Sequence, residues 1–474
     1  MTLKEKATRA AAAAALDQSV KYIKKNPQDN LVHLVDKVEA FAGKIFPQKN
    51  FDKFREGAAD PENVYTRLVL RAIRDLDENV FRNMVLALGL GVALGTKKVR
   101  ENREKYHCNI PFLTLMDPTS ACNLKCKGCW AAEYGHTLRL SYDEMNDVVN
   151  QGRDLGTHIY MFTGGEPLIC KGDIIRLCEE HPECAFLAYT NATLVDQAFC
   201  DEMKRVGNLA LAVSIEGDEA SNDYRRGEGS YRKTLESMEL LKKNGCMFGI
   251  SVCYTSKNID SVTSDEFIDQ MIDAGVLFAF YFNYMPLGKD ALPELIPQPE
   301  QRKYMYRWIK SVRNQKTGKS LFVMDFQDDG EYVGGCIAGG RNYFHINSAG
   351  DIEPCVFIHY SDSNIRTHTL LEALKRPLFM EYYHNQPFND NHLRPCPMLE
   401  NPDCLCRMIE KTGAKSTDLL ERESAEELCA KCRDFAAKWQ PVADELWNST
   451  PHRDTKTYYY RDTDEGKAEK DAKK

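Results

Sequence analysis

The sequence predicts an α/β fold flanked by a helical N-terminal region and a small cysteine-rich α+β C-terminal region, on three observations. Six short apolar runs, each closed by Gly, Asn, Ser or Pro and followed by a polar amphipathic stretch, occupy the middle of the chain. A helical stripe precedes them, and from Gly330 their alternation stops. Alternating strand and helix units of this kind form parallel strands joined by right-handed crossovers.

Residues 1–106 read as helical: Val64, Leu68, Ala72, Ile73 and Leu76 share one stripe, with Arg67, Arg71, Arg74 and Asp75 largely off it. The alanine run at 10–15 follows basic residues but lacks the Leu/Val-rich segment of a signal sequence, so it reads as part of a helix. Residues 84–95 (MVLALGLGVALG) reach about half of the roughly 20 residues a bilayer span needs, so no transmembrane helix is expected. Flanked by Arg82, Lys97, Lys98 and Arg100, this run is either a core helix or an interfacial segment.

The expected strands are FLTLM at 112–116, HIYMF at 158–162, AFLAY at 185–189, LALAVSI at 209–215, FGISVCY at 248–254 and FAFYFNY at 278–284, within a unit spanning 107–329. Six units fit either a barrel or a doubly wound sheet, and both place ligands beyond the carboxyl ends of the strands. Residues 330–447 open on a hairpin, RNYFHI, NSAGD and IEPCVF, and carry a cluster of cysteines. The tail, 448–474, is expected to be disordered, because from Arg461 it has no apolar anchor.

The 474 residues are 43% hydrophobic and 28% charged, as in ordinary globular chains. A net charge of -8 leaves no electrostatic footprint for nucleic acid. Seventeen cysteines without a signal peptide point to metal rather than disulfides.

Just after the first strand, ACNLKCKGCW places Cys122, Cys126 and Cys129 in a CxxxCxxC loop. Three thiolates can hold three irons of a 4Fe-4S cube and leave the fourth open. A structural zinc is the other reading, but zinc generally takes four ligands and no fourth lies nearby. The second strand ends in Gly164, Gly165, Glu166 and Pro167, where glycines permit close backbone approach to a ligand and Glu166 offers a carboxylate to an ammonium group.

With CxxxCxxC one strand before GGEP, residues 112 to about 290 resemble the radical S-adenosylmethionine (SAM) superfamily. The resemblance implies a partial (β/α)6 barrel in which the three cysteines hold the cluster and SAM chelates its open iron through amine and carboxylate. Gly164, Gly165, Glu166 and Pro167 would orient the amine. Asn191 in YTNATL and Ser214 with Glu216 in SIEG resemble the third- and fourth-strand motifs, and Arg226 stands where relatives set a basic residue on the SAM carboxylate. In one departure, Gly128 precedes the third cysteine where many relatives carry an aromatic residue, and Trp130 follows it.

Cys336, thirteen residues, Gly350, four residues and Cys355 resemble the opening of SPASM or twitch extensions, which carry auxiliary iron-sulfur clusters. Cys396, Cys404, Cys406, Cys429 and Cys432 follow without the tight CxxCxxxxxC run, so one auxiliary cluster is expected. Its expected ligands are Cys336, Cys355 and Cys396, the completing cysteine being open. Cys108, Cys170, Cys178, Cys184, Cys200, Cys246 and Cys253 stand singly and read as small buried hydrophobes.

The implied activity is reductive cleavage of SAM to a 5'-deoxyadenosyl radical that takes hydrogen from a peptide or protein side chain. Radical chemistry on a lipid or isoprenoid chain is the alternative. A non-catalytic electron carrier would leave GGEP without a role. The expected setting is the cytoplasm, with reduced ferredoxin or flavodoxin as electron donor and with peripheral membrane contact.

Overall fold

In the computed structural model, which describes residues 3–42, 48–288, 290–451 and 459–472, the six expected runs are strands. They are β1 (Leu113–Met116), β2 (Ile159–Phe162), β3 (Ala185–Thr190), β4 (Leu209–Ser214), β5 (Phe248–Tyr254) and β6 (Phe278–Asn283). Successive strands are parallel neighbours in chain order. A doubly wound sheet reverses its order at a switch point; here none occurs from β1 to β6, as in a partial barrel. Side chains alternate across each strand. Phe186, Ala188, Leu209, Leu211 and Val213 join the core shared with the outer helices, whereas Ala185, Leu187, Ala210, Ala212, Phe278 and Phe280 pack together on the other face.

Three further strands extend the sheet. β7 (Phe322–Asp325) lies parallel to β6, β8 (Tyr343–Ile346) lies parallel to β1, and β9 (Ile352–Glu353) pairs antiparallel with β8. The expected hairpin is therefore β8 and β9, but β8 is a strand of the barrel sheet as well as the start of the cysteine-rich region. β7 has no counterpart among the six expected runs: it is four residues long and only Val323 and Asp325 of it are buried. As an edge it is blunted: Val323 O accepts from Arg313 Nε at 2.9 Å, and Asp325 N donates to Asp329 Oδ2 at 3.0 Å.

The apolar run 84–95 lies in a continuous helical stretch, Glu78–Tyr106, whose 29 residues are long and apolar enough to cross a membrane by length and composition. It packs on the barrel: Met84 and Ala87 are buried against Ala185, Leu187, Ala210 and Phe278. Two of its glycines permit this approach. A Cβ on Gly95 would stand 2.3 Å from Gly156 O, and one on Gly91 would stand 2.6 Å from Glu183 O. Val85, Leu88 and Leu94 remain exposed.

The tail differs from the expected disorder. Asp464–Ala472 is helical, and Tyr459 and Tyr460 are buried. Tyr460 packs on Tyr383 and His384 at ring separations of 5.2 and 4.6 Å, and Tyr459 Oη donates to Gly334 O. The anchor is thus these two tyrosines just before Arg461. Residues 452–458 lie outside the described residues.

Candidate functional site

The loop bearing Cys122, Cys126 and Cys129 leaves the carboxyl end of β1 without regular structure and is tied to its neighbours by backbone bonds. Gly165 N donates to Thr119 O at 2.9 Å, Glu166 N to Ala121 O at 2.8 Å, and Lys127 N to Arg225 O at 2.8 Å. A Cβ on Gly165 would stand 2.1 Å from Ala121 O, and Gly164 has φ +97. The two glycines thus let the GGEP loop approach the cysteine loop.

Glu166 is also engaged within the protein. It is 1% exposed; Oε1 accepts from Thr190 Oγ1 at 2.6 Å and Leu168 N at 3.0 Å, and Oε2 accepts from Asn191 N at 2.8 Å. Its carboxylate therefore staples the β2 loop to the end of β3, and Glu166 also lines a chamber with the three cysteines. Pro167 opens the short turn that follows. Asn191 continues the staple: its Nδ2 donates to Asn123 Oδ1 at 2.8 Å, reaching between Cys122 and Cys126.

Glu216 is buried under two guanidinium groups. Its Oε1 accepts from Arg225 Nη1 at 2.7 Å and Arg226 Nη2 at 2.5 Å, while Oε2 accepts from Cys253 N at 3.1 Å. Glu216 thus positions cations, and the trio carries one unbalanced positive charge beside the thiols, suited to an anionic group. Arg225, whose Nε is buried without a hydrogen-bond partner, was missed in the sequence because it reads as a solvated neighbour of Arg226.

Gly128 has φ +61, and a Cβ there would stand 2.5 Å from Tyr284 Oη. Tyr284, at the end of β6, thus fills the space beside the loop position where relatives carry an aromatic residue. Trp130 makes edge contacts with Tyr134, His345, Phe357 and His359 at 5.9 to 6.3 Å between centroids. It packs at the junction of barrel and C-terminal region.

Cys122, Cys126, Cys129, Gly164, Gly165, Glu166, Asn191, Ser214, Arg225 and Arg226 all line one chamber of about 250 Å³. The rest of its wall is largely apolar, with Met161, Phe280, Phe282, Met324, Phe326 and Phe357. Burial pushes the Cys122 thiol up to about 11 and raises that of Cys129. Neutral thiols so placed need a cation's charge to ionise, which a metal centre supplies; Leu124 N already donates to Cys122 Sγ at 3.4 Å. Among the described residues no three Cys, His, Asp or Glu side chains group as around one metal ion. A cube takes each thiolate on a separate iron, so its ligands ring a cage.

A second, small cavity of about 40 Å³ is lined by Cys336, Cys355 and Cys396 together, and it shares Met285, Phe326, Ile337 and Phe357 with the chamber. Cys355 Sγ accepts from Phe357 N at 3.5 Å, and Cys396 Sγ from Met398 N and Leu399 N at 3.4 Å. Cys404, Cys406, Cys429 and Cys432 do not line it. Of the singly placed cysteines, Cys253 differs from the expected core role: it lines the chamber, while Cys108, Cys170, Cys178, Cys184, Cys200 and Cys246 are buried.

Residues 116–268 match the radical SAM superfamily. The AdoMet-dependent heme synthase of Methanosarcina barkeri is 23% identical over 290 residues, 56% of this chain and 82% of that one. The mycofactocin maturase MftC of Mycolicibacterium smegmatis is 24% identical over 268 residues, 52% of this chain and 64% of that one. The crystal structure of Streptococcus suis SuiB bound to precursor peptide SuiA gives a TM-score of 0.49 at 17% identity, covering 60% of this chain and 69% of that one. Residues 116–268 are thus a radical SAM domain with its motif residues around one chamber, and the chain is an enzyme that works with a 4Fe-4S cluster and SAM.

Proposed function

We propose that Cys122, Cys126 and Cys129 hold the SAM-cleaving cluster, that Arg226, with Arg225, receives the SAM carboxylate, and that the chamber holds a substrate group facing SAM. Bound there in its reduced form, such a cluster would supply the electron for reductive cleavage of SAM to methionine and a 5'-deoxyadenosyl radical able to take hydrogen from substrate. The protein's residues do the placing. The backbone of Gly164 and Gly165 and the end of β4 at Ser214 shape the SAM side, and the Glu166 and Asn191 staple holds the cysteine loop in register. The observation that carries this reading is the convergence of Cys122, Cys126 and Cys129, the Gly164–Gly165–Glu166 segment, Arg225 and Arg226 on one chamber.

Apart from Glu166, Arg225, Arg226 and the cysteine thiols, the chamber lining is uncharged and largely apolar, which supports an apolar group as the site of hydrogen abstraction. A peptide or protein side chain of that kind is our first reading, with Cys336, Cys355 and Cys396 holding an auxiliary cluster next to it. A lipid or isoprenoid chain is the second, favoured by the same wall and by exposed Leu88 and Leu94 on the helix under the barrel.

Anaerobically reconstituted protein should show a 4Fe-4S signal that changes on adding SAM, and should release 5'-deoxyadenosine with a strong reductant. Zinc as the only tightly bound metal would overturn the assignment. Deuterium passing into 5'-deoxyadenosine from a side-chain-labelled peptide, and not from a labelled isoprenoid, would decide between the substrates.

A further inference from the structure

We propose that Tyr343 and Tyr382 donate hydrogen bonds to the sulfur atoms of the auxiliary cluster and thereby set its reduction potential. The inference rests on the reading of Cys336, Cys355 and Cys396 as ligands of that cluster.

Tyr343 opens β8 and is buried, with Oη 2.7 Å from Cys355 Sγ. Its hydroxyl is therefore already directed at a thiol of the trio. Tyr382, on the helix Pro377–Asn385, is 0% exposed, and its hydroxyl has no hydrogen-bond partner in the protein. Buried hydroxyls without a partner are rare in native structures, and each one calls for a group that completes it. Tyr382 lines the same small cavity as all three cysteines. The surrounding fold holds it there: a Cβ on Gly339, at φ +62, would stand 2.3 Å from Tyr382 Cγ, and Phe388 packs edge-on at 5.2 Å.

The remaining wall of the cavity is mostly apolar, with Met285, Phe326, Ile337, Phe357 and Ile358. In such low-dielectric surroundings each O–H···S bond acts on the cluster with little screening. Backbone N–H groups already reach Cys355 and Cys396, so the phenols extend an existing donor set. Donors to cluster sulfur stabilise the more negative, reduced state and raise the potential. The two tyrosines are positioning residues that tune the cluster.

The test uses the full chain carrying Cys122→Ala, Cys126→Ala and Cys129→Ala, which leaves only the auxiliary signal, reconstituted anaerobically as parent, Tyr343→Phe, Tyr382→Phe and the double variant. Iron per chain, the midpoint potential from an EPR-monitored titration, and exchangeable-proton couplings in H2O and D2O are measured. We expect unchanged iron, a more negative midpoint in each Phe variant, the largest shift in the double, and loss of one exchangeable coupling per phenol removed, the couplings of the backbone N–H donors being retained. An unchanged midpoint and unchanged couplings with iron retained would overturn the tuning role alone. Loss of iron from a folded Phe variant would make the phenols structural and overturn it too. A parent that binds no iron would remove the auxiliary cluster itself, and the inference with it.

Discussion

His345 Nε2 stands 2.9 Å from Asp117 Oδ1, and the pair joins the end of β1 to β8 with no exposure to solvent. The other ring nitrogen, Nδ1, lies 2.7 Å from Glu353 Oε2 on β9. Glu353 in turn accepts from Tyr134 Oη at 2.8 Å, Asn347 Nδ2 at 2.9 Å and Thr417 Oγ1 at 2.5 Å. One imidazole thus ties the strand leading to the cysteine loop to the segments that carry the second cysteine set.

Although burial alone would lower it, the two flanking carboxylates raise the His345 pKa from 6.5 to about 10. The folded state therefore holds a proton that the unfolded chain releases near 6.5. The resulting stability is complete below pH 6.5 and lost as pH rises toward 10. His345→Gln should lower the thermal unfolding temperature strongly at pH 6, since breaking a buried ion pair costs about 3–5 kcal/mol. Its gap from wild type should narrow at pH 10; a constant gap would mean that the imidazole is neutral.

Gly165→Ala should depress iron loading of the cysteine loop, because its Cβ would meet backbone, Ala121 O, at 2.1 Å. Gly128→Ala should do the same, and here Tyr284→Ala in the same chain should restore part of the iron by vacating the space. Positive φ at Gly128 leaves a residual cost of about 1 kcal/mol for any Cβ. Wild-type iron content in both single variants would contradict the packing argument.

Arg226→Gln should weaken SAM binding to the reconstituted enzyme by at least about tenfold, the equivalent of about 1.4 kcal/mol. Arg226→Lys should rescue little, because one ammonium cannot reproduce the two bonds that Nε and Nη2 make to Glu216 Oε1 at 2.9 and 2.5 Å. Equilibrium dialysis with SAM measures this, and an unchanged Kd would remove Arg226 from the SAM site.

Glu400→Gln should lower auxiliary iron while leaving SAM cleavage measurable. Glu400 Oε2 accepts from Cys396 N at 2.7 Å, and its Oε1 accepts from Arg302 Nη1 at 2.6 Å in a buried pair. Loss of the carboxylate leaves the buried Arg302, among the described residues, with Asp328 as its remaining ion-pair partner and frees the Cys396 N–H from its charged acceptor, which destabilises the loop that carries Cys396. Iron counts before and after substitution decide it.

The sequence by itself determined the six parallel strands, because apolar runs of strand length separated by amphipathic stretches can be buried only by packing on both faces. Resemblance then tied two local motifs, CxxxCxxC and GGEP, to a known chemistry, since each lies within one loop and spacing alone brings its members together. The tertiary structure decided whatever depends on residues far apart in the chain. Only the fold shows that the Glu166 carboxylate also accepts from Thr190 and Asn191. The Gly128 departure makes sense only with Tyr284 against it, and Cys336, Cys355 and Cys396 share a cavity that no spacing specifies. Likewise β8 reads as part of a separate hairpin but pairs with β1, because strand partnership is set by long-range hydrogen bonding and burial, which a local pattern does not encode.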